Sequence, residues 1–163
     1  MSQVFVSGHK SPDTDSIAAA LSYSYLKRRL GMDAVAVRAG EINKESRFAL
    51  DYFNLEEPML VTSVARKNPE DEKQKVILVD HNESKQTIDG MDDAEVLEII
   101  DHHRFGDFES ENPIFILVRP VGCVNTVIYG LYKANHIRPS REIAGIMLSA
   151  IISDTVLFRS PTT

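Results

Sequence analysis

Short apolar runs alternate with longer segments of helical periodicity along this chain. Each run holds four or five mostly aliphatic residues with little polar alternation, and the runs cover residues 4–7, 34–38, 76–79, 96–100 and 114–118. Continuous apolar runs of this length are typical of parallel strands that are buried on both faces. We therefore predict at least five strands in a largely buried sheet.

Helical spacing appears between and after these runs. Ile17, Leu21 and Tyr25 recur every four residues, which predicts a helix that begins near Asp13 and ends before Gly31. Further helices are predicted over 44–53, 126–134 and 141–152, and the first of these offers Phe48, Leu50, Tyr52 and Phe53 for packing. Alternating strands and helices predict one α/β domain, doubly wound, with a mainly parallel sheet and helices on both faces.

Polar residues with metal-binding chemistry follow several of the predicted strands. His9, Asp13, Asp80 and His102 all come shortly after the carboxyl end of an apolar run. In open parallel sheets ligands bind beyond these ends, so we expect the four side chains to converge at one edge. Asp154 follows a predicted helix instead, and its convergence on the same edge is a weaker inference.

Charge and composition narrow the classes of function. The chain has 163 residues, a net charge of −6 and one cysteine, Cys123. This charge gives no long-range attraction to nucleic acid or to an anionic membrane. The lone cysteine fits a reducing compartment, and no apolar run reaches the roughly 20 residues of a membrane span. We read no signal peptide and expect a cytoplasmic protein.

Imidazoles and carboxylates together suit manganese, cobalt, zinc or iron. Six candidate ligands are too many for one ion with an open position, and they suit two ions that share a bridging carboxylate: His9, Asp13, Asp15, Asp80, His102 and Asp154. Two ions at such a site can activate a water between them for attack on phosphorus. Asp80, at the end of a central strand, is the expected bridge.

Each motif also has a purely structural interpretation. The acidic pair around Thr14 could simply start a helix, and the residues after Asp80 could form a turn. The histidine pair could lie on the surface without a function, and Asp154 could cap a turn. Cys123 is expected to be a small buried residue rather than a nucleophile. The recurrence of polar clusters after apolar runs favours the functional interpretation.

The ordered series of motifs resembles the DHH phosphoesterase superfamily, and within it the manganese-dependent (family II) inorganic pyrophosphatases. The central motifs are GHKSPDTDS at 8–16, LVDHNE at 78–83 and IDHH at 100–103. Weaker similarities lie at 37–40, 49–53, 120–123 and 148–154, so the resemblance runs nearly from end to end. A lone DHH triplet would be weak evidence, whereas the whole series is specific.

The resemblance implies a role for each motif residue. His9, Asp13 and Asp80 would bind a first Mn²⁺, and the second would be held by Asp15, Asp80, His102 and Asp154. His103 would contact the substrate phosphate and assist the leaving group, as a catalytic residue together with Asp80. Asp101 would orient a histidine from behind, and His81 would have a supporting role. Co²⁺ would substitute for Mn²⁺, and additional Mg²⁺ would accompany the substrate.

The implied reaction converts pyrophosphate to two phosphates, with a hydroxide that bridges the two metal ions as the attacking group. The resemblance also implies a homodimer formed through this domain. By the same resemblance, residues 1–163 would correspond to the family's N-terminal domain, and its basic C-terminal substrate-binding domain, of the DHHA2 type, is expected to lie outside this chain. Lys10, Arg104 and Arg159 are the nearest cations here. We expect them to be inadequate substitutes, so that the chain alone is weak or inactive.

Two other functions stay open on the sequence. One is a DHH phosphodiesterase that acts on short oligonucleotides or cyclic dinucleotides, which shares the metal motifs but needs stacking aromatics and a positive groove. The absence of tryptophan and the acidic balance argue mildly against it. The other is a non-catalytic domain that binds metal and dimerises.

Overall fold

A computed structural model describes residues 3–163. Six strands form one parallel sheet in the order β3-β2-β1-β4-β5-β6. The strands are β1 (Val4–Ser7), β2 (Ala34–Arg38), β3 (Met59–Leu60), β4 (Lys75–Val79), β5 (Glu95–Asp101) and β6 (Phe115–Val118). The α-helices are α1 (Thr14–Arg29), α2 (Lys44–Tyr52), α3 (Val124–Ala134) and α4 (Arg141–Asp154), and short 3₁₀ turns cover Ser84–Gln86 and Met91–Asp93.

The predicted α/β class and the parallel sheet are confirmed. All five predicted strands and all four predicted helices are present, with bounds that differ by one or two residues. The sixth strand, β3, escaped prediction because two exposed residues after Pro58 carry no periodicity. It pairs with the end of β2 and is the edge strand on that side of the sheet.

The α-helices cover one face of the sheet, and the other face differs from the prediction. Residues of α1, α3 and α4 form a core with Val6, Ile77 and Ile100, and α2 packs on α1 and α4. The second face buries Val76, Leu78 and Ile99. Its cover comes from connecting segments that include Val64, Ile88 and Phe108, with 3₁₀ turns in place of the expected α-helices.

Chain direction explains this division of the two faces. Strands β1, β2 and β3 follow one another toward one edge of the sheet. The chain then returns past β1 to β4, and β5 and β6 follow toward the opposite edge. Because crossovers between parallel strands are right-handed, reversing direction places the later connections on the other face. The reversal point lies between β1 and β4, which is the position where open sheets bind ligands.

Helix α1 is the element that brings the sequence motifs onto the sheet. The Asp13 side chain caps it by accepting a hydrogen bond from the Ser16 amide at 2.9 Å. Ala18, Ala19 and Ala20 are fully buried, and their small size allows the helix to approach its neighbours closely.

Helix α2 only partly fulfils its predicted packing. Leu50 is buried, but Phe48 and Tyr52 are 70% and 72% exposed and stack on each other with ring centroids 6.1 Å apart. The buried stripe of this nine-residue helix is Ser46, Ala49 and Leu50, and helical geometry turns positions 48 and 52 away from it. Between residues 3 and 163, no helix combines the length and the apolarity required to cross a membrane.

We expect buried side chains of the central strand β4 to contribute more to the free energy of unfolding than exposed ones on an edge strand. A pair of substitutions tests this. Ile77 on β4 is fully buried, whereas Leu60 on the edge strand β3 is 40% exposed. We expect Ile77→Ala to lower the free energy of unfolding by about 2–5 kcal/mol, because it leaves a cavity in the core. Leu60→Ala is expected to cost about 1 kcal/mol or less. Urea denaturation measures both, and equal losses would contradict the placement of the core.

Candidate metal centre

Five strand and helix ends meet at one edge of the sheet and carry all six predicted ligands. His9 lies two residues beyond β1, Asp80 directly follows β4, and His102 directly follows β5. Asp13 and Asp15 lie at the start of α1, and Asp154 is the last residue of α4. The convergence expected from the sequence is therefore seen in the structure, and it includes Asp154.

Asp80 lies at the middle of this group. Its Oδ2 is 3.4 Å from His9 Nε2, and its Oδ1 is 3.1 Å from His102 Nε2. The residue is 1% exposed, and Oδ2 has no hydrogen-bond donor among the described residues. A buried carboxylate oxygen without a donor is costly, and a bound cation would satisfy it. The donor chemistry therefore fits a metal ion next to Asp80.

The backbone at Asp80 is also unusual. Its φ is 63°, in the left-handed region that few residues other than glycine, asparagine and aspartate adopt. Such conformations cluster at functional sites, where the surrounding structure holds them. The turn at this residue directs the chain away from β4 immediately after the carboxylate is placed.

His9 and Asp13 complete one group of ligand atoms with Asp80. One donor atom of each lies within 4.8 Å of the other two, and His9 Nε2 is 3.8 Å from Asp13 Oδ1. Burial alone would lower the pKa of His9, but the two carboxylates raise it to about 10. The imidazole thus holds a proton where a metal ion would otherwise balance the negative charge.

Two close approaches of glycine fix the loop that carries His9. The His9 amide donates to Ser16 Oγ at 3.0 Å, and a Cβ on Gly8 would lie only 1.8 Å from that oxygen. A Cβ on Gly40 would lie 1.9 Å from the Lys10 carbonyl oxygen. Side chains at either position would displace the loop and with it His9.

Asp15 is anchored at the amino end of α3. Its Oδ2 accepts from the Val124 amide at 2.7 Å, and its Oδ1 accepts from Asn125 Nδ2 at 2.6 Å and from the Cys123 thiol at 2.9 Å. The helix dipole favours a carboxylate at this place. Burial and the charge of Asp15 raise the pKa of the Cys123 thiol well above its usual range. Cys123 is buried as predicted and is not poised as a nucleophile.

Asp154 lies against Asp15, and the two carboxylates repel each other. One donor atom each of Asp15, Cys123 and Asp154 lie within 4.8 Å of one another. Burial and repulsion from Asp15 raise the pKa of Asp154 to about 8. Burial and the nearby Asp80 charge also raise the pKa of Asp15. Positive charge at this place would relieve the repulsion.

His102 connects the two groups of ligand atoms. Its Nδ1 is 2.7 Å from the Val121 carbonyl, to which it donates, so Nε2 is directed at Asp80 and lies 3.6 Å from Asp15 Oδ2. Burial acts to lower the pKa of His102, but Asp80, the Val121 carbonyl and Asp15 raise it to about 9. A backbone carbonyl behind the ring is the usual way to orient a metal-binding histidine.

His103 has a different environment from its neighbour. Its Nδ1 is 2.9 Å from Asp101 Oδ1, and its side chain is 53% exposed. The contact with Asp101 raises the pKa of His103. The carboxylate of Asp101 thus orients His103 rather than His102, and the Nε2 atom of His103 is left for another partner.

His81 stays outside the ligand groups. It is 2% exposed, its Nδ1 donates to the Val79 carbonyl at 2.9 Å, and burial lowers its pKa to about 4. Its ring centroid is 6.4 Å from that of His9, in an edge-on arrangement. A supporting role in packing fits this neutral, buried ring.

Comparisons with known proteins agree with these motifs. Residues 3–151 match the family model described as "DHH family, N-terminal domain". A protein named "Probable manganese-dependent inorganic pyrophosphatase" from Bacillus licheniformis is 52% identical over 162 residues, which is 99% of this chain and 51% of that protein. A protein of the same name from Exiguobacterium is 51% identical over the same lengths. The chain spans about half the length of the curated relatives it matches.

Solved structures share the fold. The "Methanococcus jannaschii putative family II inorganic pyrophosphatase" has a TM-score of 0.86 and 40% identity, with 99% of this chain and 51% of that chain covered. An exopolyphosphatase-related protein from Bacteroides fragilis has a TM-score of 0.70 at 19% identity, with 98% of this chain and 48% of that chain covered. The second similarity supports the fold alone.

The repulsion at Asp154 leads to a testable prediction. We expect Asp154→Asn to raise the melting temperature of the metal-free chain at pH 8.5 by about 2–4 °C, the shift that roughly 1 kcal/mol gives at this size. The substitution removes an ionised carboxylate that is crowded by Asp15. It should also reduce the further rise in melting temperature that Mn²⁺ produces. Thermal melts in chelator and in excess Mn²⁺ measure both effects.

Asp51→Asn is the matched control, because Asp51 is exposed on α2 and the charge change is the same. The control should melt like the unsubstituted chain under both conditions. A fall in melting temperature for Asp154→Asn without metal would contradict the prediction.

Proposed function

Because the chain belongs to the DHH family, whose N-terminal domain it matches over residues 3–151, we propose that it supplies the metal centre of a manganese-dependent inorganic pyrophosphatase. The reaction is the hydrolysis of pyrophosphate to two phosphates. The observation that carries the proposal is the buried Asp80 carboxylate between two histidines, with one oxygen that lacks a donor within residues 3–163.

The ligand assignment is the one that the family resemblance implies, and the donor group of His9, Asp13 and Asp80 supports the first of its two sets. His9, Asp13 and Asp80 hold one Mn²⁺, and the second is held by Asp15, Asp80, His102 and Asp154. Asp80 is the shared ligand, and its two oxygens separately approach His9 and His102. Two imidazoles among carboxylates favour Mn²⁺ or Co²⁺ over ions that prefer only oxygen ligands.

When bound, the two ions supply Lewis acidity and lower the pKa of coordinated water. His103 acts from the protein side of the reaction. Its Nδ1–H donates to Asp101, and this contact raises the pKa of the ring, so the protonated imidazole donates a hydrogen bond from Nε2–H to the substrate phosphate and passes that proton to the departing one. Partial exposure of the ring leaves this atom accessible to a substrate.

Pyrophosphate carries high negative charge, and two of the three nearest cations of this chain are already engaged. Lys10 Nζ is 2.6 Å from Asp89 Oδ1, and Arg104 donates to Glu83 at 2.7 Å and 2.9 Å. Both cations are therefore already paired with carboxylates. We accordingly propose that this chain by itself turns over slowly, at a small fraction of the rate of the relatives that are twice its length.

Phosphate release from pyrophosphate with Mn²⁺ or Co²⁺ tests the reaction. We expect slow turnover that falls about 100-fold or more in His102→Ala and Asp80→Asn, which lose a ligand. Asparagine keeps the left-handed backbone at position 80, so the loss is specific to the charge. His103→Asn should cost about 100-fold to 10,000-fold, the usual contribution of a positioned proton donor.

His136→Asn is the control for these variants. His136 is exposed, lies outside the site and has a φ of 55°, which asparagine tolerates. Activity equal to the control in His103→Asn would sink the proposed role of His103. Faster hydrolysis of a short oligonucleotide or cyclic dinucleotide than of pyrophosphate would favour a phosphodiesterase. Mn²⁺ binding without hydrolysis of either substrate would favour a non-catalytic metal-binding domain.

We propose that the protein is cytoplasmic and that it binds neither nucleic acid nor a membrane. The single cysteine is a buried free thiol, as a reducing compartment permits. The net charge of −6 works against binding to a phosphate backbone.

A homodimer through this domain is also part of the proposal. The edge strand β6 presents Phe115 and Ile116, which are 49% and 42% exposed, beside unpaired backbone groups. Exposed apolar edge strands are ready sites for pairing with another chain, and natural proteins otherwise protect them with charge. Two copies of β6 can pair about a two-fold axis, which is the commonest symmetry of homodimers.

Sedimentation velocity tests the dimer. We expect Ile116→Lys to shift the protein to a monomer, because lysine on the edge strand opposes pairing. Leu60→Lys places the same change on the opposite edge strand β3, where Leu60 is 40% exposed. It should leave the dimer intact. A monomer before any substitution, or dissociation by Leu60→Lys alone, would refute the assignment to β6.

A further inference from the structure

Besides the contact between Asp80 and His102, three side-chain links join the loop after β4 to the loop after β5. Ser84 donates to Asp107 from its backbone amide at 2.8 Å and from its hydroxyl at 2.6 Å, and Arg104 donates to Glu83. These two links are exposed. The third is made by Asn82, which is 1% exposed and lies two residues beyond Asp80. Only this third link reaches the residue that orients His103.

The Asn82 side chain uses both ends of its amide. Its Nδ2 donates to Asp101 Oδ2 at 2.6 Å and to the Arg104 carbonyl at 2.9 Å, and its Oδ1 accepts from the Gly106 amide at 2.5 Å. Two acceptors on one side and an N–H donor on the other define which end is oxygen and which is nitrogen. The amide therefore has a single orientation in this site.

Asp101 in turn divides its two oxygens between different partners. Asn82 occupies Oδ2, and Oδ1 accepts from the His102 amide at 2.7 Å, the His103 amide at 3.2 Å and His103 Nδ1 at 2.9 Å. Asp101 is fully buried, so water cannot replace these donors, and together they restrict the rotation of its carboxylate. Loss of Asn82 would release Oδ2 and allow the carboxylate to turn away from the ring.

We propose that Asn82 is a positioning residue for His103: through Asp101 it fixes the Nδ1–H tautomer of the imidazole and directs Nε2 to the substrate. An amide suits this position because it donates to Asp101 without adding charge to a site crowded with carboxylates. An aspartate of the same shape would place a second negative charge 2.6 Å from Asp101 Oδ2. Asn82 also lies in the same turn as Asp80, so one loop sets both the shared ligand and the histidine.

The tautomer of His103 is the direct readout. Imidazole ¹⁵N shifts of the metal-free chain, in alkaline buffer where the ring is neutral, distinguish a proton on Nδ1 from one on Nε2. We expect the Nδ1–H form to dominate in the unsubstituted chain and to lose its excess in both Asn82→Ala and Asn82→Asp. The aspartate variant keeps the shape of the side chain and covers the case in which the alanine variant folds poorly.

Asp107→Ala is the matched control. It removes the Ser84 link between the same two loops without touching Asp101. The control should keep the Nδ1–H form. Retention of this tautomer in both Asn82 variants would overturn the proposal, and so would its equal loss in Asp107→Ala, which would attribute the effect to general loosening of the loops.

A kinetic measurement extends the test and rests on the proposed pyrophosphatase function. Asn82→Ala should lower kcat for pyrophosphate by about 10-fold to 100-fold, as loss of a supporting hydrogen bond commonly does, with a smaller change in KM. Loss of the tautomer with unchanged kcat would count against a role of His103 in the reaction while leaving the positioning by Asn82 intact. An unchanged tautomer would reject the positioning itself.

Discussion

Four carboxylates gather at one edge of the sheet, and the cost of placing their charges together is the constraint to which the surrounding structure responds. Asp15 and Asp80 are almost fully buried, and Asp13 and Asp154 lie beside them. In the metal-free chain this charge is offset by two imidazoles that retain protons, by the amino end of α3 and by a proton held near Asp154. Divalent cations would replace the protons on these side chains, which is why the donor chemistry fits a metal centre.

The order of the strands determines which residues come together at this edge. The connection from β3 to β4 reverses the direction in which strands are added, so the loops after β1 and β4 diverge to opposite faces and leave a crevice between them. His9 and Asp80 lie on the two sides of that crevice. Helices α1 and α4 then bring three further carboxylates to its rim.

Much of the site could be predicted because each ligand follows a recognisable strand or begins a recognisable helix. The contacts behind the ligands could not, because they join residues far apart in sequence. Cys123 and Asn125 bind Asp15 across more than a hundred residues, and no local pattern signals it. The segment 120–123 resembles a family motif, but the contact of the Val121 carbonyl with His102 Nδ1 is visible only in the structure. The cover of the second face was missed for a similar reason, since irregular segments have no period to detect.

The positions of the ligands along the chain affect when the site can form during synthesis. His9 emerges from the ribosome early, whereas Asp154 is the last residue of α4 and emerges after the entire sheet. A nascent chain therefore has the first group of donor atoms complete once Asp80 has folded onto β1, and the second group only after α4 has docked. On the proposed ligand assignment, capture of the second ion is therefore a late event that follows completion of the domain.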